Sequence, residues 1–253
     1  MRKLLAFVLS FILFRPALFA QADDEIQVYA SPTIQPKWTI FELHSNYTFR
    51  GTRMLADPAS ARWQNETLEI THGVRKNFEL GFYTFSGISP QGDFQYLGNR
   101  IRPRVTAPQE WNWPVGASLS CEIGFSRPHK DSAFLWGGEL RPIVDKTWGN
   151  FYLSFNPNIE FALTGSEKGA GLTPQVKSVY TLGKKYGLGI EYYGALGSFR
   201  RLLPYGMQEH LLGPAVDLYL HPDWEINAGF LFGLTDNSNQ RIFKLLLGRR
   251  IGK

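Results

Sequence analysis

Residues 151–163, FYLSFNPNIEFAL, constrain this chain more than any other stretch. Phe151, Leu153, Phe155, Pro157, Ile159, Phe161 and Leu163 share one parity, and Tyr152, Ser154, Asn156, Asn158, Glu160 and Ala162 share the other. A period of two means a strand. Strands of globular proteins run about 5–6 residues, whereas a strand that crosses a bilayer at a slant needs about 9–11, and this run reaches that length. An oily face backed by amides and a carboxylate suits a wall with lipid on one side and water on the other. A soluble sandwich or lipocalin-like barrel alternates in the same way with its apolar face inward, so parity alone leaves the wet side open.

The rest of the chain repeats the pattern. Residues 40–49, 62–71, 78–85, 94–105, 115–125, 134–145, 173–182, 188–196, 211–220, 224–232 and 242–251 each alternate, and with the opening run they predict about twelve strands. Single-chain outer-membrane barrels have an even number. In residues 94–105, Arg100, Arg102 and Arg104 oppose Leu97, Ile101 and Val105. Guanidinium groups do not face lipid, so these three are expected to point inward. A large aromatic opens every second strand: Trp38, Phe78, Trp113, Trp148, Tyr186 and Trp224. Aromatics at one end of every up-strand form a girdle at a membrane interface.

The connections at that end are mostly short (73–77, 146–147, 183–185, 221–223), and those at the other end mostly longer and more polar (51–61, 86–93, 164–171, 197–208, 233–239). That is the asymmetry of short periplasmic turns and long outer loops. Residues 106–112 break the rule. Pro142, Pro157, Pro174 and Pro214 fall within strands on the oily parity, where each removes one ladder donor or marks a bulge.

Composition agrees. Aromatics make up 15% of the chain and glycine contributes 25 residues, which suits strands and turns. A mean hydropathy of -0.21 is too polar for a helical membrane protein but not for a barrel, in which only alternate residues touch lipid. Arg2 and Lys3, an apolar run over residues 4–14 and the small-x-small triplet Ala20-Gln21-Ala22 read as a signal peptide, residues 1–22, for export to the outer membrane. Losing Arg2, Lys3 and Arg15 with it lowers the formal charge from +5 to about +2, so the basic balance is no argument for nucleic acid. Residues 23–37, acidic at the start and broken by Pro32 and Pro36, read as an irregular periplasmic segment, with folding into the barrel mouth as the alternative, and residues 38–253 as the barrel. Cys121 is the sole cysteine and has no partner for an internal disulfide.

The polar parity carries Glu42, His44, Glu69, Glu79, Arg100, Arg102, Arg104, Glu122, Glu139, Arg141, Asp145, Glu160, Lys177, Glu191, Asp217, Glu225 and Lys244. These residues are expected to line the lumen. They read either as a charged pore for small polar or anionic solutes, or as a network of paired charges that fills a narrow barrel and keeps it shut. His44-Ser45-Asn46 invites comparison with outer-membrane phospholipases and lipid A deacylases. Adjacent strand residues point to opposite sides of the wall, however, so this imidazole does not reach this hydroxyl. A triad assembled across strands stays open as the enzymatic alternative. His72, His129, His210 and His221 fall at turns or strand ends, and no zinc-type spacing or phosphate loop occurs, so no metal or cofactor is expected. Arg75-Lys76, Lys184-Lys185 and Arg200-Arg201 read as solvated turn charges, with a contact for lipopolysaccharide phosphates as the alternative for the last pair, at the outer end.

WTIFELHSNYTFRG at residues 38–51, GELRPIVD at 138–145, FNPNIEFAL at 155–163, LGIEYYGALG at 188–197 and GLT at 233–235 together resemble uncharacterised proteobacterial outer-membrane barrels. These are loosely similar to the transporter-like barrels of the phenol-degradation MetA type. The resemblance implies an outer-membrane barrel and brings no catalytic residues. The last residues, Ile251-Gly252-Lys253, depart from the terminal aromatic usual in such proteins.

The sequence thus predicts an all-β, closed, antiparallel up-and-down transmembrane barrel of about twelve strands, acting as a channel or transporter-like barrel for small solutes. A lipid-modifying barrel enzyme and a closed structural barrel are the alternatives. The expected partners are outer-membrane lipid and lipopolysaccharide, the outer-membrane assembly machinery and a small-molecule solute. The detergent-extracted protein is expected to change mobility on a denaturing gel when boiled, and unchanged mobility counts against a barrel.

Overall fold

The computed structural model describes residues 25–54, 61–128, 131–165 and 169–252, so the expected signal peptide and His129 lie outside the described residues. Twelve strands make the wall: β1 (Thr39–Arg50), β2 (Trp63–Arg75), β3 (Phe78–Ile88), β4 (Phe94–Thr106), β5 (Gly116–Ser126), β6 (Leu135–Trp148), β7 (Phe151–Ala162), β8 (Gly169–Leu182), β9 (Tyr186–Ala195), β10 (Glu209–Leu218), β11 (Trp224–Gly233) and β12 (Arg241–Ile251). Each pairs antiparallel with its neighbour in the chain, and β1 pairs with β12 from Thr39↔Ile251 to Arg50↔Arg241. The sheet closes on itself as an up-and-down barrel. Two further two-residue pieces, Gly197–Ser198 and Arg201–Leu202, form a small hairpin in an outer loop that touches β8 at Gly171.

Parity governs the wall. Leu119 and Phe155 are 44% and 43% exposed on the outside, while Glu122, on the other parity of β5, is 2% exposed within the barrel. The oily parity therefore faces outward, as a transmembrane barrel requires.

β4 departs from the simple alternation. Phe85 pairs with Gly98 and Ser86 with Tyr96, so Leu97 is an extra residue. Gly98 takes φ +151 there, and a Cβ on it would lie 2.2 Å from the Phe125 carbonyl oxygen. The bulge flips parity, so Leu97 turns inward and is buried beside Tyr83 and Phe85 instead of lying on the outer face opposite the arginines. The prolines are accommodated by local lapses in pairing. The β6–β7 pairing lapses between Leu140↔Ile159 and Val144↔Phe155, around Pro142 and Pro157, and resumes in the same register, and the β10–β11 pairing lapses around Pro214. Pro157 and Pro174 face each other across β7 and β8.

Turns at the aromatic end are tight: Asn77 with φ 64 links β2 to β3, Gly149 with φ 58 links β6 to β7, and Gly183 with φ 60 links β8 to β9. The longer connection after β4 is held by a 3-10 turn, Gln109–Trp111, and by an ion pair from Glu110 to Lys76 of the neighbouring turn. Trp38 immediately precedes β1 and Trp113 stands three residues before the start of β5, while Phe78, Tyr186 and Trp224 open β3, β9 and β11. Trp148 closes β6 rather than opening β7. All six lie at one rim.

Replacing Leu119 by Arg places a cation on the outer face of β5, which costs about 2–4 kcal/mol near the bilayer midplane. Urea unfolding in lipid vesicles is expected to show that loss, and an unchanged midpoint counts against a lipid-facing β5.

Candidate functional site

A twelve-stranded barrel encloses less space than an open porin of 16–18 strands, and here a piece of the chain itself occupies that space. Residues 25–36, expected to trail into the periplasm, run through the interior before Trp38 turns into β1. Ile26, Val28, Tyr29 and Ser31 are buried there. No regular element forms, so the segment's backbone groups have to find partners on the wall.

They find them among the inward side chains. The Tyr29 N–H donates to Asn156 Oδ1 at 2.8 Å, and its carbonyl accepts from Ser154 Oγ at 2.7 Å and Asn156 Nδ2 at 3.1 Å. The Ser31 N–H and hydroxyl both donate to Asp145, each at 2.7 Å, and the Ile34 N–H donates to Glu79 Oε2 at 2.6 Å. Arg104 donates to the carbonyls of Ala30 and Pro32, each at 3.0 Å, and Lys244 Nζ to that of Ile26 at 2.9 Å. The Tyr29 hydroxyl meets Tyr83 at 2.8 Å and Glu69 at 3.0 Å and also bonds Glu25. Arg102, Arg104 and Arg141 stand over its ring at 4.9, 5.4 and 4.4 Å from the centroid. Tyr29 is the hub of the interior.

Of the residues expected in the lumen, Glu42, His44, Glu69, Glu79, Arg102, Arg104, Glu122, Glu139, Arg141, Asp145, Glu191 and Lys244 are buried inside the barrel. Arg100, Glu160, Lys177, Asp217 and Glu225 are half-buried on the same parity. The charges gather into groups. Arg102 bonds Glu69 and lies 2.9 Å from Glu79, which Arg104 approaches to 2.7 Å, while His44 Nε2 is 3.5 Å from Glu69. Arg141 bonds Glu139 and stands 3.9 Å from both Glu122 and Glu25, and Arg100 lies 3.6 Å from Glu122. On the opposite wall Lys177 joins Asp217 at 2.7 Å and Glu191 at 3.3 Å, and Glu191 also holds Lys244. Arg250 pairs with Glu225 near the rim.

Along the axis, apolar side chains close the half of the barrel toward the long loops. Ile26 and Val28 pack with Tyr193, Leu211, Leu231 and Ile242. Toward the aromatic rim a cavity of about 420 Å3 lies beside the segment, bordered by Glu42, Lys177, Asp217, Trp224, Glu225 and Arg250 among others.

His44 and Ser45 do not work together: His44 is buried by Glu69, whereas Ser45, on the outer parity, donates to Glu66 Oε1 at 2.7 Å. Among the described residues no group of His, Cys, Asp and Glu is placed to hold a metal ion. The residues that sequence reasoning missed are those that hold the segment: Tyr29, Ser31, Ser154 and Asn156. Their signal is the short run Ile26, Val28 and Tyr29 ahead of the first strand, too apolar for a solvated tail.

No protein-family model and no curated protein matches the chain. Solved structures do. The COG4313 outer membrane channel from Pseudomonas putida F1 superposes with a TM-score of 0.63 at 10% identity over 90% of this chain and 100% of that one. The shared fold is that of an outer-membrane barrel. The NanC porin aligns with a TM-score of 0.53 at 8% identity over 84% and 99% of the two chains. LpxR from Salmonella typhimurium aligns at 0.42 and 10% identity over 83% and 99%, too remote a likeness to bear on chemistry.

Removing one partner from a buried charge group leaves the other uncompensated, which costs about 3–5 kcal/mol. Arg102→Met, which takes the guanidinium from Glu69 and leaves Glu79 to Arg104 alone, is expected to lower stability by that amount in denaturant titrations. A shift comparable to a surface substitution counts against the pairing.

Proposed function

We propose that this barrel is an outer-membrane channel for small polar solutes whose passage is closed by its own residues 25–36. The observation that carries the reading is the way the segment is held: side chains of the wall bind its backbone and Tyr29, and a cavity of about 420 Å3 lies beside it. Each such bond exchanges for one to water at a net cost of about 0.5–1.5 kcal/mol, so the segment is displaceable in a way that a wall strand is not. The fold shared with an outer membrane channel supports the same reading, as does the resemblance to transporter-like barrels of the MetA type. Export through a cleaved signal peptide at residues 1–22 and an aromatic girdle of Trp38, Phe78, Trp113, Trp148, Tyr186 and Trp224 belong to this proposal. Inward carboxylates outnumber inward cations, so the expected preference is for cations over anions rather than the reverse.

The paired charges and the apolar closure by Ile26 and Val28 favour one second reading, a permanently closed structural barrel. Conductance in planar bilayers separates the two. The full chain is expected to open rarely, and Tyr29→Ala combined with Ser31→Ala to raise the open time by at least about tenfold, with potassium passing more readily than chloride. If both proteins are folded and neither conducts, the closed reading stands.

A further inference from the structure

The outer face of the wall is mostly apolar: Ser178 of β8 and the Tyr192–His210 pair are isolated polar points, and polar side chains cluster in one place among the described residues. On β1 to β4, Ser45, Gln64, Glu66, Thr84, Ser86 and Asn99 all share the outward parity and adjoin one another: Ser45 pairs with Glu66, Glu66 with Ser86, and Thr84 with Asn99. At about 3.3 Å per residue and a tilt of about 40°, Ser45 stands roughly 18 Å above Trp38, inside an apolar band about 25 Å tall. Tyr47 and Phe49, in edge contact at 4.8 Å, lie still farther from that rim. Elsewhere around the barrel the outward positions at this depth are Ile123, Ile159, Tyr192 and Phe230. The other outward charges of the strands, such as Arg75, Lys146, Arg241 and Arg249, fall at the strand ends. Glu66 does not.

Its carboxylate is partly served from its own face. Ser45 Oγ donates at 2.7 Å and Gln64 Nε2 also donates, both to Oε1. An ionisable group against acyl chains is costly and marks a functional surface, and hydrogen bonds between neighbours are one of the forces that associate proteins within lipid.

We propose that this patch is an interface with a second copy of the chain, related by a two-fold axis along the barrel. Copies in one membrane share orientation, so such an axis keeps depth and reverses the order of strands. With the axis between β2 and β3, Glu66 of one copy meets the Thr84 and Ser86 hydroxyls of the other, and Ser45 meets Asn99. Ser86 Oγ now rests on the Glu66 carbonyl at 3.2 Å and is free to turn. The donors match the carboxylate, and Oε2 is the acceptor for them. The patch holds no cation, so an anionic lipid headgroup is the poorer occupant.

The test uses the full chain in native membranes. With Cys121→Ser as background, Ser86→Cys is expected to give a dimer band with a short bifunctional maleimide. Phe155→Cys, on the far wall, is expected to give none. Sedimentation equilibrium in neutrally buoyant detergent is expected to return a dimer, with its dissociation constant raised about tenfold or more by Glu66→Leu. Heat-dependent gel mobility establishes that each variant is folded. A folded Ser86→Cys protein without the dimer band overturns the proposal, as does equal cross-linking at position 155, or a single copy that retains bound lipid at this patch.

Discussion

A chain crossing a bilayer as strands has no water with which to satisfy its backbone, so every N–H and C=O must be paired within the sheet. That requirement governs this structure. It forces β1 onto β12, leaves no edge, and makes parity the sole variable that decides what touches lipid and what does not. The prolines show how strict it is. Each of Pro142, Pro157 and Pro214 coincides with a lapse in pairing, and the ladder resumes within a few residues on either side.

Closure then creates a second problem inside. The inward parity is rich in carboxylates and guanidinium groups, and a narrow barrel does not hold enough water to solvate them separately. Residues 25–36 fill the space with backbone groups and one tyrosine, which together donate to Glu69, Glu79, Asp145 and Asn156 and accept from Arg104, Ser154 and Lys244. The Tyr29 ring gives Arg102, Arg104 and Arg141 an aromatic face that stabilises their charge in addition to the carboxylates they meet. The segment stays irregular because its partners are side chains spread over many strands and not a single neighbouring ladder.

The wall was legible in the sequence because a period of two over long runs is a strong local signal, clearest in β7 and β5. Leu97 was misplaced because a bulge is a property of pairing: nothing in residues 94–105 reports the extra residue except Gly98, and a lone glycine in a strand has several explanations. The interior was half legible. The charged residues could be assigned an inward direction, but which arginine meets which glutamate depends on register between strands far apart in the chain. The location of residues 25–36 lay beyond pattern reasoning, since a segment with two prolines and no alternation looks the same in water as inside a barrel. Only Ile26, Val28 and Tyr29 hinted otherwise.

The two halves of the barrel differ in what closes them, and the difference bears on how it works. Toward the long loops, closure comes from buried apolar contacts of Ile26 and Val28, which water does not replace. Toward the aromatic rim, Ser31 and Ile34 are held by hydrogen bonds to Asp145 and Glu79, and the Ile34–Glu79 bond borders the cavity. Loosening therefore starts more readily at the rim end, where the Ile34–Glu79 bond borders the cavity, than at the loop end, where Ile26 and Val28 must leave a buried apolar cluster. Because Trp38 anchors the segment to the start of β1, movement at the rim turns the chain about Lys37, whose N–H is held by the Gly73 carbonyl at 2.8 Å. The apolar end is then the firmer hold on the segment and the hydrogen-bonded end the looser one.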